Sequence, residues 1–265
     1  MTGVSRAERG PTGTAGGSVP RMTARRMMRE AVARRLVPGD RLASEPTLMS
    51  YFDVSRGSLR EALRVLSYLG AIDVRSGPGG GPRIARPGPR VVGSALAIAL
   101  QFRGTTMRGL LEARTELEPV AARMAARRGD PADVAMLRAC HQRLAASAAS
   151  AHRQRECLEF HRLLAAASGN DVLELVLTAL AWMCGALDRA RPEPEDRCDA
   201  TRDALVVAIA AGDAAGAAAL AAALLDTTTG PLRDGAARAL DERVSWPDVD
   251  ELPDIEDRKD VATWT

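Results

Sequence analysis

Arg56 and Arg60 stand four residues apart just after Ser55, with Ser58 between them. On a helix opened by Ser55, that spacing stacks the two guanidinium groups one turn apart on the same face. A guanidinium offers two parallel N–H donors that match guanine O6 and N7, so a helix that leads into the major groove with these arginines can read base sequence. Ser55 and Ser58 are short donors near a helix N-terminus and suit phosphate contacts that set register. Downstream, Ser76-Gly77-Pro78-Gly79-Gly80-Gly81-Pro82 concentrates glycine. The run lacks the GK[ST] ending of a nucleotide loop and does not lead into a helix, so a hairpin tip approaching a DNA backbone accounts for it better. Cys157 and His161 share a helical face at i, i+4, yet no third orienting group or oxyanion motif accompanies them. Cys140, Cys157, Cys184 and Cys198 show neither zinc-ligand nor redox CxxC spacing, and reduced, packed thiols are expected.

These groups need elements to hold them. Residues 21–36 read as an amphipathic basic helix, with Met22, Met27, Ala31, Val32 and Leu36 inward and Arg25, Arg26, Arg29 and Arg34 outward. Pro38-Gly39-Asp40 stops it, and Ser44 before Glu45-Pro46 caps a short helix running to about Phe52. After the turn at Asp53-Val54, Ser55 opens a second helix that carries Leu59, Ala62, Leu63 and Leu66 inward. Two short helices about a tight turn, the second with a basic face, form a helix-turn-helix candidate. Residues 71–75 alternate apolar and polar, and 83–85 return after the glycine run, which predicts a β-hairpin wing. Pro87-Gly88-Pro89 begins a linker expected over 87–92. Helical stretches follow at 93–102, 106–128, 131–149, 153–168, 171–190, 196–211 and 213–226, and 227–243 can add another. Their short connections imply an antiparallel bundle.

Composition agrees with this division. The chain of 265 residues is 46% hydrophobic but only 3% aromatic, which favours a helical interior built from Ala, Leu, Val and Met over a mostly β fold. Through residue 90 there are 16 Arg against 7 acidic side chains; beyond it there are 20 basic against 27 acidic. A basic front and an acidic, alanine-rich rear point to polyanion binding ahead and regulation or assembly behind. No apolar run is long enough for a membrane span, because Gly212, Asp213 and Gly216 interrupt the most apolar stretch. Residues 1–20 read as a flexible leader without the features of a secretory signal, which places the chain in the cytoplasm, and 244–265 as an acidic, disordered tail.

The run Leu36-Val37-Pro38-Gly39-Asp40-Arg41-Leu42-Ala43-Ser44-Glu45, then Val54-Ser55-Arg56-Gly57-Ser58-Leu59-Arg60-Glu61-Ala62-Leu63-Arg64-Val65-Leu66, then Gly70-Ala71-Ile72, resembles the winged helix of GntR-superfamily transcriptional regulators. The second domain, over 93–243, resembles the effector-binding FCD domain of the FadR branch through Leu111–Glu118, Phe160-His161, Gly169-Asn170 and Ala208–Asp213. The resemblance implies a mainly α protein: an N-terminal winged helix-turn-helix over 21–86 with a small β-hairpin wing, then an all-α bundle. It also implies that Ser55, Arg56, Gly57, Ser58, Arg60, Ser76 and Gly77 face DNA. The family often has arginine after the glutamate of the first of these helices, where this chain has Pro46, so one expected DNA contact is missing.

Many FCD domains bind a divalent metal through an Asp, a His four residues later and two further histidines. Of these positions the chain keeps only His161; Cys157, Arg202 and Leu224 stand at the others. An arginine among the ligands puts a fixed positive charge where a cation should sit, so no metal and no other cofactor are expected. If Arg202 points into the same cavity, it can replace the metal as an anchor, with Arg114 and His161 beside it, for a small organic anion such as a carboxylate or acyl effector. The competing reading pairs Arg114 with Glu118 at i+4 and leaves His161 as a satisfied core histidine. The expectation is therefore a dimeric, ligand-responsive repressor on a near-palindromic, double-stranded DNA operator. It has two rivals: a regulator whose second domain only dimerises, and a helical-bundle enzyme using Cys157 and His161.

Overall fold

In the computed structural model, the structure describes residues 18–245 apart from 76, 78, 79, 147–149, 190–194, 235 and 236. Most of the leader, the acidic tail after 245, and the wing-tip residue Ser76 therefore lie outside the described residues. The chain divides into two compact units at Pro87 and Gly88.

The first unit holds α1 (Val19–Ala33), α2 (Glu45–Phe52), α3 (Arg56–Tyr68), β1 (Ile72–Arg75) and β2 (Gly81–Ile84). Helix α1 ends three residues before the position expected from sequence. Arg35 adopts φ +56°, which breaks the α-helical path, and the Leu36 amide donates back to the Ala31 carbonyl. Its buried face is Thr23, Ala24, Met27 and Ala31; Val32, expected inward, is 73% exposed, and Met22 is exposed as well. Ser44 caps α2 by accepting from the Thr47 amide, and Pro46 sits in the first turn, where its missing N–H costs nothing. Asp53, with φ +53°, makes the left-handed turn that sends the chain into α3. Ser55 caps α3 by accepting from the Ser58 amide at 3.2 Å. Leu59, Ala62, Leu63 and Leu66 of α3 then pack with Met27, Leu48, Phe52 and Ile72 in one core. The hairpin pairs Ile72 with Ile84 through Arg75 with Gly81, antiparallel. The segment before α2 adds to its edge: the Leu42 amide donates to the Pro82 carbonyl at 2.9 Å.

The second unit is a helical bundle. Its elements are α4 (Pro89–Phe102), α5 (Met107–Arg128), α6 (Pro131–Ala145), α7 (Ser150–Ala167), α8 (Asp171–Arg189), α9 (Glu195–Ala210), α10 (Ala214–Asp234) and α11 (Ala237–Asp241). Of the boundaries that differ from the sequence reading, two concern the linker and the end of α10. Pro89 does not continue a linker over 87–92 but takes the first position of α4, where its fixed φ favours the helix. The Thr227 run does not end α10: the Thr227 hydroxyl returns to the Ala223 carbonyl at 2.8 Å, within the helix, which runs on to Asp234. Helix α5 packs against α7, α8, α9 and α10. One core gathers Leu137, Phe160, Leu164, Leu205, Ile209 and Leu224; a second gathers Leu110, Leu111, Leu180, Trp182 and Met183. Trp182 and Met183 are thus core residues. A Cβ at Gly93 of α4 would lie 2.6 Å from the Trp182 ring, so glycine is what lets α4 approach α8 this closely. Among the described residues, no helix is long and apolar enough to cross a membrane.

Candidate nucleic-acid interface and buried cation cluster

The first turn of α3 is exposed on the side opposite its core leucine face. Ser55, Arg56, Gly57, Arg60 and, between the two strands of the hairpin, Gly77 are exposed, and Ser58 is half-buried. The N-cap bond and the Leu59 amide to Ser55 carbonyl bond engage the third and fourth amides of the turn. The amides of Arg56 and Gly57 point out of the helix start, where the helix dipole also favours an anion. The Ser55 hydroxyl is committed to the cap and to Ser58 at 3.0 Å, so its role at the helix start is first to shape the turn. Arg60 is not a free side chain: its Nε lies 3.5 Å from the Glu45 carboxylate, at the position just before Pro46. Sequence spacing alone did not reveal this cross-helix pair, because it depends on the angle between α2 and α3. Arg64, on the next turn, pairs with Glu61 at 2.6 Å.

In the bundle, the three residues expected at an effector site belong to one connected network. Arg114 on α5 donates from Nε to Glu118 Oε1 at 2.8 Å, and its Nη2 lies 2.7 Å from the same oxygen. The other Glu118 oxygen meets His161 Nδ1 on α7 at 2.8 Å. His161 shares a further hydrogen bond with Cys157, and Arg202 on α9 donates from Nη2 to the Cys157 sulfur at 3.4 Å. Arg202 also pairs with Asp199, which in turn meets Arg153 at 3.3 Å. The Arg202 guanidinium lies over the Phe160 ring at 5.9 Å. Relative exposure is 4% for Arg114, 2% for Glu118, 5% for His161 and 3% for Arg202. Burial alone would raise the Glu118 carboxyl, but the charges of Arg114 and His161 overcome it and hold the group at about 2. Burial alone would lower the His161 imidazolium; the Glu118 carboxylate outweighs this and raises it to about 9. At neutral pH the cluster therefore contains an ionised carboxylate between two cations. The i, i+4 spacing correctly pairs Arg114 with Glu118. The sequence reading missed that Glu118 reaches across to His161, and so links α5 to α7.

Residues 19–80 match the family of bacterial regulatory proteins named gntR, and residues 109–227 match the FCD domain. The HTH-type transcriptional regulator Mce2R of Mycobacterium tuberculosis (strain CDC 1551 / Oshkosh) is 30% identical over 209 residues, which are 74% of this chain and 84% of that protein. The chain belongs to the GntR family. The HTH-type transcriptional repressor NanR of Edwardsiella tarda and the regulator LutR of Bacillus subtilis are each 30% identical to this GntR-family chain, over 58% and 52% of its length. The chain spans about three fifths of the length of these two relatives, 60% and 63%. A solved structure of Streptococcus agalactiae GntR shares the fold, with a TM-score of 0.64 at 22% identity over 79% of this chain and 98% of that one. The matched families and relatives are transcriptional regulators and not enzymes, and the Cys157 and His161 pair is part of the charge network described above.

The metal found in many FCD domains does not fit the residues of this GntR-family chain. Arg202 donates to the Cys157 sulfur, so a permanent cation occupies the place between two would-be ligands. Leu224 is buried in the apolar core with nothing to offer a cation, so of the ligand positions only His161 presents a nitrogen donor. His141 and His152 stand apart from this network, half-buried and exposed respectively.

Proposed function

We propose that this chain is a one-component transcriptional regulator of the cytoplasm. Its winged helix binds a near-palindromic operator as a homodimer, and its bundle adjusts that binding through a small organic anion. The observation that carries the DNA-binding reading is the exposed first turn of α3, where Arg56, Arg60 and two helix-start amides face outward while Leu59 and Leu63 fix the helix to the core. A guanidinium in the major groove reads guanine and the amides seat on phosphate, which joins specificity to register. Ser76 and Gly77 at the wing supply further backbone contacts in this reading.

Two-fold symmetry follows from recognition by one short helix per chain, which covers only a few base pairs. The outer face of α4 supports a second copy as the partner: Ala95 and Phe102 are exposed, Phe102 at 91%, and no charge interrupts the helix between Arg90 and Arg103. An uncharged apolar stripe can meet itself across a two-fold axis without like-charge repulsion. The effector reading rests on Arg114, His161 and Arg202, three cations buried in one network inside the bundle. An acid that enters the bundle beside them gains charge-assisted hydrogen bonds in a low-dielectric site. The names of NanR, a repressor, and LutR agree with regulation of this kind, and repression is our reading for this chain.

The test is selection of DNA by the full chain from a random-sequence pool, followed by anisotropy on the enriched site across a salt series. Enrichment of two inverted half-sites, with affinity that falls steeply with salt, supports the reading. Failure to enrich any sequence contradicts it.

A further inference from the structure

The winged-helix unit has a cavity of its own, lined wholly by its own residues. It lies between α1, α2 and the segment joining them, with a volume of about 380 Å³. Met27, Ala31, Leu42, Leu48 and Phe52 form its apolar bed. The size matches a small molecule and not a helix or an extended peptide, which would need a longer open groove.

The rim has a definite charge pattern. One oxygen of the Glu30 carboxylate, Oε1, accepts both from Arg34 at 2.6 Å and from the Tyr51 hydroxyl at 2.7 Å, while the Arg34 guanidinium also lies over the Tyr51 ring at 5.1 Å. The Glu30 and Arg34 charges therefore offset each other. Arg41, the other charged residue of the lining, is exposed, and no carboxylate among the described residues pairs with it. Its guanidinium sits beside Gly81 at the start of β2, on the segment whose Leu42 amide is fixed to the Pro82 carbonyl at 2.9 Å. An apolar bed with one uncompensated, well-placed guanidinium is complementary to an apolar body that carries one negative charge.

We propose that this cavity is a second small-molecule site, separate from the bundle, that takes a compact apolar monoanion such as an aryl or branched-chain carboxylate or sulfonate. Arg41 anchors the anionic group, and the bed between Ala31 and Phe52 takes the apolar body. The proposal does not depend on the DNA reading, since its test contains no DNA.

The experiment is isothermal calorimetry on the full chain with naphthalene sulfonate and with the neutral naphthalene sulfonamide. The wild type should bind the sulfonate saturably and more tightly than the amide. Arg41→Gln should weaken the sulfonate about tenfold, the loss of a charge-assisted hydrogen bond, and leave the amide unchanged. Ala31→Phe fills the bed and should abolish the binding. Because that position is buried, Ala43→Trp provides a second block from the exposed rim that does not disturb the core. No saturable sulfonate binding by the wild type, binding that Ala43→Trp leaves intact, or equal affinity for sulfonate in wild type and Arg41→Gln would each overturn the proposal.

Discussion

Replacing Glu118 with glutamine tests the electrostatic reading of the bundle most sharply. Glu118 meets Arg114 at 2.7 Å and His161 at 2.8 Å, and the side chains of all three are at most 5% exposed. Removing one partner of a buried ion pair costs about 3–5 kcal/mol, because the remaining charge stays out of water without compensation. Glutamine keeps the shape and one acceptor, so a loss near 3 kcal/mol is expected for the transition of the bundle. The pH dependence is more diagnostic than the size. His161 rises from 6.5 to about 9 in the folded chain, so its contribution is complete below pH 6.5 and is lost as pH climbs through about 9. At about 1.4 kcal/mol per pKa unit, this amounts to roughly 2–4 kcal/mol across that window. Glu118, held at about 2 instead of 4.5, contributes above pH 4.5 and loses its contribution as pH falls through about 2. In Glu118→Gln, His161 faces Arg114 without the carboxylate, so burial and like charge push it below 6.5 and the loss between pH 6.5 and 9 disappears. Urea unfolding followed by circular dichroism at a series of pH values, for both proteins, reads the difference; an NMR titration of the histidines assigns it. A wild-type His161 that titrates at or below 6.5, or the same pH slope in both proteins, would refute the reasoning.

Other perturbations test separate parts of the structure. Gly93→Ala places a methyl 2.6 Å from the Trp182 ring, and thermal unfolding should show a loss of about 1–3 kcal/mol, whereas an unchanged melting temperature would mean that α4 and α8 do not approach this closely. Cys140 is fully buried, and burial together with the nearby Glu156 carboxylate pushes its thiol up to about 12. It should therefore resist a thiol reagent in the native state and react only on unfolding, as mass spectrometry of labelled peptides will show; rapid native labelling contradicts that packing. In the proposed dimer, Phe102→Glu on α4 should shift the chain toward monomer in light scattering, and a dimer that survives it removes α4 as the interface. Glu45→Ala releases Arg60, and the salt dependence of DNA binding should steepen as one more guanidinium becomes available to phosphate or base; an unchanged slope places Arg60 elsewhere.

The parts of the fold that the sequence made legible are those set by local chemistry. Ser44 and Ser55 each precede a helix that they cap, Pro46 sits where a helix needs no amide, and the glycine run lies between paired strands. The periodic leucines of α3 identify its buried face for the same reason. What escaped depends on the angles at which elements meet. Val32 follows the helical period of α1 yet faces water, since the chain turns away at Arg35 and none of the described residues covers that side. Arg114, His161 and Arg202 could be named from a resemblance, but their connection through Glu118 and Cys157 requires three helices to be placed side by side. Glu45 next to Arg60 is likewise a fact of packing, since the two are far apart along the sequence.

The measurement that bears most directly on the function is anisotropy of the selected operator with the wild type and with Arg56→Ala, each against a scrambled sequence. Arg56 is exposed at the head of α3, and loss of its bidentate contact should cost about 1–3 kcal/mol on the operator while leaving the weak binding to scrambled DNA little changed. Binding to the operator that Arg56→Ala leaves undiminished would contradict the claim that α3 reads DNA.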